Sequence, residues 1–162
     1  GRLVAVSSST HKRTGSALHL LEDPMCARGA FAPQTPYAAS KLAQLIGTFR
    51  LRERGGIECV CVHPGSPITE VTREMHLAVR LAYRALRPLF RTLQPATALA
   101  AEAVVHACYC RLDEQPRRCG LLGGTYLERS ASVPHNEAAL DPVVAEKVGN
   151  LLDDLVKPYV AI

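Results

Sequence analysis

Tyr37-Ala38-Ala39-Ser40-Lys41 puts a phenol and an amine four residues apart, on one face of a helix and one turn from each other. Pro36 suits a first helical turn and Gly55-Gly56 stops the pattern, so a helix is expected from about Pro36 to Arg54. Within it Leu42, Leu45, Ile46 and Phe49 share a face, as a helix packed on a sheet requires. Upstream, the apolar run Leu3-Val4-Ala5-Val6 predicts a buried strand over Arg2–Ser7, with Ser7-Ser8-Ser9 at its end and a polar break at Ser8–Thr14. Downstream, Ile57-Glu58-Cys59-Val60-Cys61-Val62 predicts a second strand, ended by His63-Pro64-Gly65.

The rest of the chain extends this alternation. Gly15–Thr35 mixes polar residues, Gly and Pro and reads as an excursion loop, with one helical turn near Leu18–Leu21. Ala96–Arg111, rich in Ala and Val, predicts a second helix. Gly120–Leu127 contains a short third strand, Leu121-Leu122 then Thr125-Tyr126-Leu127, interrupted by Gly123-Gly124. A final helix is expected over Pro142–Val156, before Pro158. The β-α-β-α-β order makes an α/β fold with a parallel sheet and right-handed crossovers the economical architecture. Such sheets are buried on both faces, which accounts for the continuous apolar strands.

Composition narrows the function classes. At 162 residues the chain is long enough to enclose a core as one domain, and 48% hydrophobic residues argue against disorder. A net charge of +4, no Trp and 5% aromatics offer no stacking platform for bases, so nucleic-acid binding is not expected. The six cysteines form no CxxC pair, which removes the usual redox and zinc-knuckle signals. Cys59 and Cys61 alternate with Val60 and Val62, where cysteine serves as a small buried hydrophobe, and a reducing compartment fits that usage. His11, His19, His76, His106 and His135 show no ligand spacing and are assigned surface or packing roles, and His63 a role supporting its loop. Asp113-Glu114 and Asp153-Asp154 read as solvated helix ends.

The Tyr37–Lys41 spacing has a specific chemical use. A phenol with its ordinary pKa of about 10 is a poor acid–base catalyst at neutral pH. An ammonium one turn away favours the phenolate, which suits proton exchange with a carbonyl or alcohol oxygen. A serine hydroxyl from a strand end can hold the same oxygen. Both groups then meet at the carboxyl end of a parallel sheet, where α/β folds bind ligands.

Strand–serine, helix–tyrosine–lysine, strand–proline–glycine is the order of the catalytic half of the short-chain dehydrogenase/reductases, which this chain resembles over nearly its whole length. The resemblance implies a partial Rossmann-type, doubly wound parallel sheet, with three C-terminal strands, flanking helices and the N-terminal cofactor half absent. Residues 1–162 would be the C-terminal part of one NAD(P)-binding domain. It assigns Ser8, Tyr37 and Lys41 as catalytic, with Lys41 also bonding the nicotinamide ribose. Tyr37, Lys41, Pro64, Gly65, Ile68 and Thr69 would border the nicotinamide and its ribose. The long Ser8–Tyr37 gap, the HPG turn and the segment Gly123-Gly124-Thr125-Tyr126-Leu127-Glu128-Arg129-Ser130-Ala131-Ser132-Val133-Pro134 are most similar to the retinol-dehydrogenase-like branch. That branch implies a lipophilic carbonyl or alcohol substrate such as a retinoid or steroid, NADP(H) as cofactor with NAD as the alternative, and residence in the cytoplasm or on the cytosolic face of the endoplasmic reticulum.

The chain departs from that family in what it lacks. No glycine-rich phosphate turn is present, since Gly120-Leu121-Leu122-Gly123-Gly124 has neither its spacing nor its position. The residue that selects NAD or NADP and the relay asparagine are missing too; the family carries all of these upstream of the equivalent of Gly1. The expectation is therefore a fragment, weakly active or inactive alone, whose first strand exposes a hydrophobic edge. Two other readings stay open: a truncated, non-catalytic relative serving as an interaction protein, and a nucleotide-sugar epimerase, which shares YxxxK but carries a different sixth-strand motif.

Between the second strand and second helix, Arg73, Arg80, Arg84, Arg87 and Arg91 are spaced by seven, four, three and four and stack on one narrow helical face. Met75, Ala82, Leu86, Leu89 and Leu93 fall opposite. Pro88 is expected to end or kink this helix at Arg87. Either the apolar face covers a substrate pocket and the basic face meets anionic lipid, as a peripheral membrane contact, or this is an ordinary amphipathic helix with a solvated arginine face.

Overall fold

The computed structural model describes residues 1–13, 16–25, 27–28, 32–65, 76–93, 97–111, 125–133, 139 and 141–159. Its strands are β1 (Arg2–Val6), β2 (Glu58–His63), β3 (Thr125–Glu128) and β4 (Ala131–Ser132). Its helices are α1 (Ser16–Glu22), α2 (Gln34–Gly55), α3 (Leu77–Leu93), α4 (Thr97–Tyr109) and α5 (Pro142–Val156). The sheet order is β1-β2-β3-β4; the first three strands are parallel, with Val4 beside Val60 and Val62 beside Leu127. A mixed α/β architecture with flanking helices results, compatible with part of a Rossmann-like fold.

Alternation along the strands divides the core in two. Val4, Val60, Val62 and Leu127 face α4, whose small side chains Ala103 and Ala107 let it approach closely. Ala5, Cys61 and Tyr126 face the other way, toward α2, α1 and α5. On α2 the side chains of Leu42, Leu45, Ile46 and Phe49 are fully buried, each contributing about 1.5–3 kcal/mol by leaving water. Gly56 closes α2 in the left-handed conformation (φ 62°), its N–H donating to the Arg52 carbonyl at 3.2 Å. Arg2 ties the sheet to the second face: its guanidinium donates to the carbonyls of Ala107, Cys108 and Cys110 at the end of α4, and pairs with Glu58 at 3.1 Å.

Several expectations change. The sheet gains a fourth strand, because Arg129 adopts φ 57° and turns the chain back so that β4 pairs antiparallel with β3. The crossovers cannot both be right-handed: β1→β2→β3 steps in one direction while α2 and α4 cover opposite faces, so the two links have opposite hand. The second link carries two helices and is not the compact unit on which the handedness rule rests. α3 runs continuously through Pro88, where a break was expected. The proline deletes one rung of the ladder, the bond to the Arg84 carbonyl, and the helix continues on the bonds that remain. Asp153 is no merely solvated helix end: two hydrogen bonds from Arg54, at 2.8 and 3.2 Å, hold its carboxyl below the usual range. β1 is an edge strand among the described residues, with Leu3 and Val6 exposed. The excursion loop contains α1, two turns rather than one, with Leu20 buried. Leu121-Leu122, Asp113-Glu114, Arg73 and Met75 lie outside the described residues.

Candidate active site

The carboxyl ends of β1 and β2 open side by side, joined where the Ser7 N–H donates to the Val62 carbonyl at 2.8 Å. From β1 the chain enters a short 3-10 helix, Ser9–Lys12, and Ser8 is its N-cap: extended backbone and a side-chain oxygen accepting from the Thr10 N–H at 3.3 Å. That bond uses an acceptor site on Ser8 Oγ and leaves its proton free to donate. Ser7 and Ser8 are both buried, and Ser7 Oγ has no hydrogen-bond partner among the described residues. The His11 side chain is fully buried beneath this loop; its Nδ1–H donates to the Ser8 carbonyl at 2.5 Å, and its ring meets Tyr126 edge-on at 4.7 Å.

α2 brings the other two residues. Lys41 Nζ donates to the Val6 carbonyl at 3.2 Å, and so anchors the helix to the very end of the serine-bearing strand. A second bond, to Gln44 Oε1 at 3.2 Å, leaves one of its three N–H donors unused. The ammonium stands 5.9 Å from the centroid of the Tyr37 ring, one turn up the helix. Tyr37 is 48% exposed and outside the core, although Ala38 and Ala39 beside it are buried. Lys41 thus bridges the phenol and the strand end from which Ser8 departs.

On β2, Pro64 and Gly65 follow His63, and Gly65 has φ 92°, a conformation that a side chain would strain. The His63 carbonyl accepts from the Arg129 N–H at 2.8 Å, so this turn is fixed to the β3–β4 hairpin as well. His63 Nε2 and Ser9 Oγ share a 3.3 Å hydrogen bond that links the serine loop to the Pro-Gly turn. Burial lowers the His63 pKa, Lys12 and Arg129 act the same way, and Glu128 opposes them. Lys12 pairs with Glu128 at 3.2 Å and lies 5.4 Å over the Tyr126 ring. Ile68 and Thr69 lie outside the described residues.

The His63–Ser9 link and the His11–Tyr126 contact escaped sequence reasoning. The only signal was the position of His63 next to the Pro-Gly turn. The role given to Cys59 and Cys61 agrees with their placement: both are fully buried on β2, and burial pushes the Cys59 thiol up, away from reactivity. Among the described residues no cluster of three or more His, Cys, Asp or Glu could hold a metal ion.

No family model matches the chain. It is similar to retinol dehydrogenase 12 of Mus musculus, with 29% identity over 158 residues, covering 96% of this chain and 45% of that protein. The chain therefore spans less than half the length of the curated relative it matches. At 96% of the chain, the similarity extends over most of the elements described above. It is a distant one, consistent with a relationship to the short-chain dehydrogenase/reductase type of oxidoreductase.

Proposed function

We propose that this chain is the catalytic portion of an oxidoreductase that interconverts a carbonyl and an alcohol on a lipophilic substrate, with hydride exchanged through NADP(H) or, alternatively, NAD. Ser8 donates a hydrogen bond to the substrate oxygen, Tyr37 passes the proton, and Lys41 favours the phenolate and binds the nicotinamide ribose. The observation that carries this reading is the placement of Lys41, its ammonium bonded to the Val6 carbonyl and set against the Tyr37 ring. An amine there sees both the phenol and the serine-bearing strand end, as a proton-transfer pair beside a substrate oxygen requires.

The residues present fit the nicotinamide half of the cofactor. Lys41 keeps a free N–H for a ribose hydroxyl, and Gly65, at positive φ and without a Cβ, lets a planar ring approach the backbone. Pro64 and Gly65 would border that ring. The cofactor supplies the hydride; the chain positions the substrate oxygen and moves its proton. The sequence contains no glycine-rich phosphate turn, so the adenine half must be held by residues other than these.

Tyr37→Phe in the intact gene product tests the assignment. Loss of turnover with cofactor binding retained is expected, because the variant removes only the proton-passing oxygen. Retained turnover would overturn it. The isolated 162-residue chain is expected to oxidise NADPH weakly or not at all.

A further inference from the structure

We infer that α3 is an interfacial helix that lies in the headgroup region of an anionic lipid bilayer. This goes beyond the oxidoreductase reading and does not depend on it. At about 100° per residue, Arg80, Arg84, Arg87 and Arg91 occupy an arc of about 60° on α3, and Leu77–Leu93 contains no acidic residue. Apolar positions dominate the rest of the circumference. Leu77 (61% exposed) and Leu81 (57%) lie at one border of that apolar arc, Leu86 and Val79 at the other, and Leu89 (55%) opposite the arginines. Arg80 and Arg84 are exposed and make no ion pair among the described residues.

That distribution decides between occupants. A helix seated on a protein surface buries a stripe of about 100° and turns polar residues to water elsewhere. Here the exposed apolar residues run from Leu81 through Leu89 to Val79, an arc of about 160°, so covering a stripe of that width leaves part of it in water. A second copy of the chain would leave the same flank uncovered and bring two arginine arcs together. A bilayer interface buries everything below the headgroup plane at once. Long arginine stems lie along the apolar flanks and lift their guanidinium groups to lipid phosphates and carboxylates. The helix lies on the membrane rather than through it: among the described residues no helix is long and apolar enough to cross.

The chain has no tryptophan, so one introduced residue reports on its own surroundings. Leu86→Trp in the full chain is to be compared with Val105→Trp, at an exposed position on α4. Both are mixed with phosphatidylcholine vesicles and with phosphatidylcholine–phosphatidylserine vesicles. The expected result is a solvent-exposed emission from Leu86→Trp in buffer, a blue shift with the anionic vesicles alone, and no shift from Val105→Trp. Arg80→Gln/Arg84→Gln should lower the flotation of the otherwise unmodified chain with anionic vesicles by about thirtyfold, and salt should lower it too. If the Leu86→Trp chain fails to fold, that flotation pair carries the test alone. Emission already blue in buffer would mean that protein covers this face, and would overturn the inference. So would binding equal in neutral and anionic vesicles, no binding to either, or binding indifferent to the two arginines.

Discussion

Tyr126→Phe should make this protein more stable. The ring of Tyr126 is buried in the core, edge-on to His11, with Lys12 over its face. Its hydroxyl is buried without a hydrogen-bond partner among the described residues, so it gave up water on folding and received none of their polar groups in exchange. Such a group costs about 1–3 kcal/mol. Removing the oxygen opens a void of about 10 Å³, which returns only about 0.2 kcal/mol of penalty. Phenylalanine keeps the ring contacts with His11 and Lys12, so the expected net gain is about 1–2 kcal/mol. With a urea m-value of about 2 kcal/mol/M, the unfolding midpoint should rise by about 0.5–1 M with m unchanged. A second signature lies in alkali. Burial, with help from the nearby Glu128 carboxylate, raises the Tyr126 pKa above the ordinary 10, while the unfolded chain ionises there near 10. Stability from this group is thus complete below pH 10 and is lost as pH rises from there toward the folded pKa. The phenylalanine variant should lose less stability over that range. A lower urea midpoint would refute the reasoning, since it would mean that the hydroxyl has a partner whose loss outweighs its burial.

Three further outcomes can be measured in the same way. Asp141 caps α5 through bonds from the Val143 and Val144 N–H groups at 2.8 and 3.3 Å, and Asp141→Ala should cost about 1 kcal/mol by urea unfolding. Gly149→Ala puts the new Cβ 1.1 Å from Arg50 Nη1 and 2.0 Å from its Cζ, the far end of a flexible side chain, so the guanidinium should swing aside and leave most of the helix-propensity gain of about 1 kcal/mol. A double-mutant cycle with Arg50→Ala measures what that movement costs, and a net loss of stability in Gly149→Ala alone would mean that Arg50 cannot move. For His63, burial sets the folded pKa below the unfolded value near 6.5, so its contribution is complete above about pH 6.5 and is lost as pH falls toward the folded pKa. His63→Gln should flatten that part of the pH–stability curve; a curve parallel to that of the unmodified chain would remove His63 as its cause.

The parts of this fold that could be read in advance are those in which local pattern and burial agree. The α2 core face was visible because Leu42, Leu45, Ile46 and Phe49 repeat at helical spacing and are all fully buried. α5 was bounded by its own punctuation, Asp141-Pro142 at the start and Pro158 past the end. What stayed hidden depends on partners distant in sequence or on a single backbone angle. Nothing near Arg2 indicates that it caps a helix ending more than a hundred positions later. β4 is two residues long and depends on Arg129 taking φ 57°, a conformation for which glycine or asparagine is the usual signal. Crossover hand was equally hidden, since β1 and β2 are apolar on both faces and favour neither side for α2. At the site, the Tyr37–Lys41 spacing was legible because it is local. The bond from Lys41 to Val6, which gives that spacing its place beside the serine strand, joins two elements and had no local trace.

The same helix carries the largest part of the core and two of the three proposed catalytic groups, and this ties stability to chemistry. Tyr37 and Lys41 lie on the arc of α2 next to the one that buries Leu42, Leu45 and Ile46, within three turns of each other. A core substitution that rotates or shifts α2 therefore moves the Lys41 ammonium relative to the Val6 carbonyl before it unfolds anything. A displacement of 1 Å is enough to cost about a hundredfold in a positioned reaction. The serine loop has separate anchors: Ser7 to β2, Ser9 to His63, and Ser8 through its carbonyl to His11. Two groups of restraints with little overlap thus converge at one sheet edge, one holding the phenol and amine, the other the serine and the Pro-Gly turn. Lys41 to Val6 is a hydrogen bond between them beside the catalytic groups, and Arg13 to Gln34 joins them at the far end of the serine loop. For that reason Lys41, more than Tyr37, is the residue whose loss should disturb both the chemistry and the alignment of the two halves of the site.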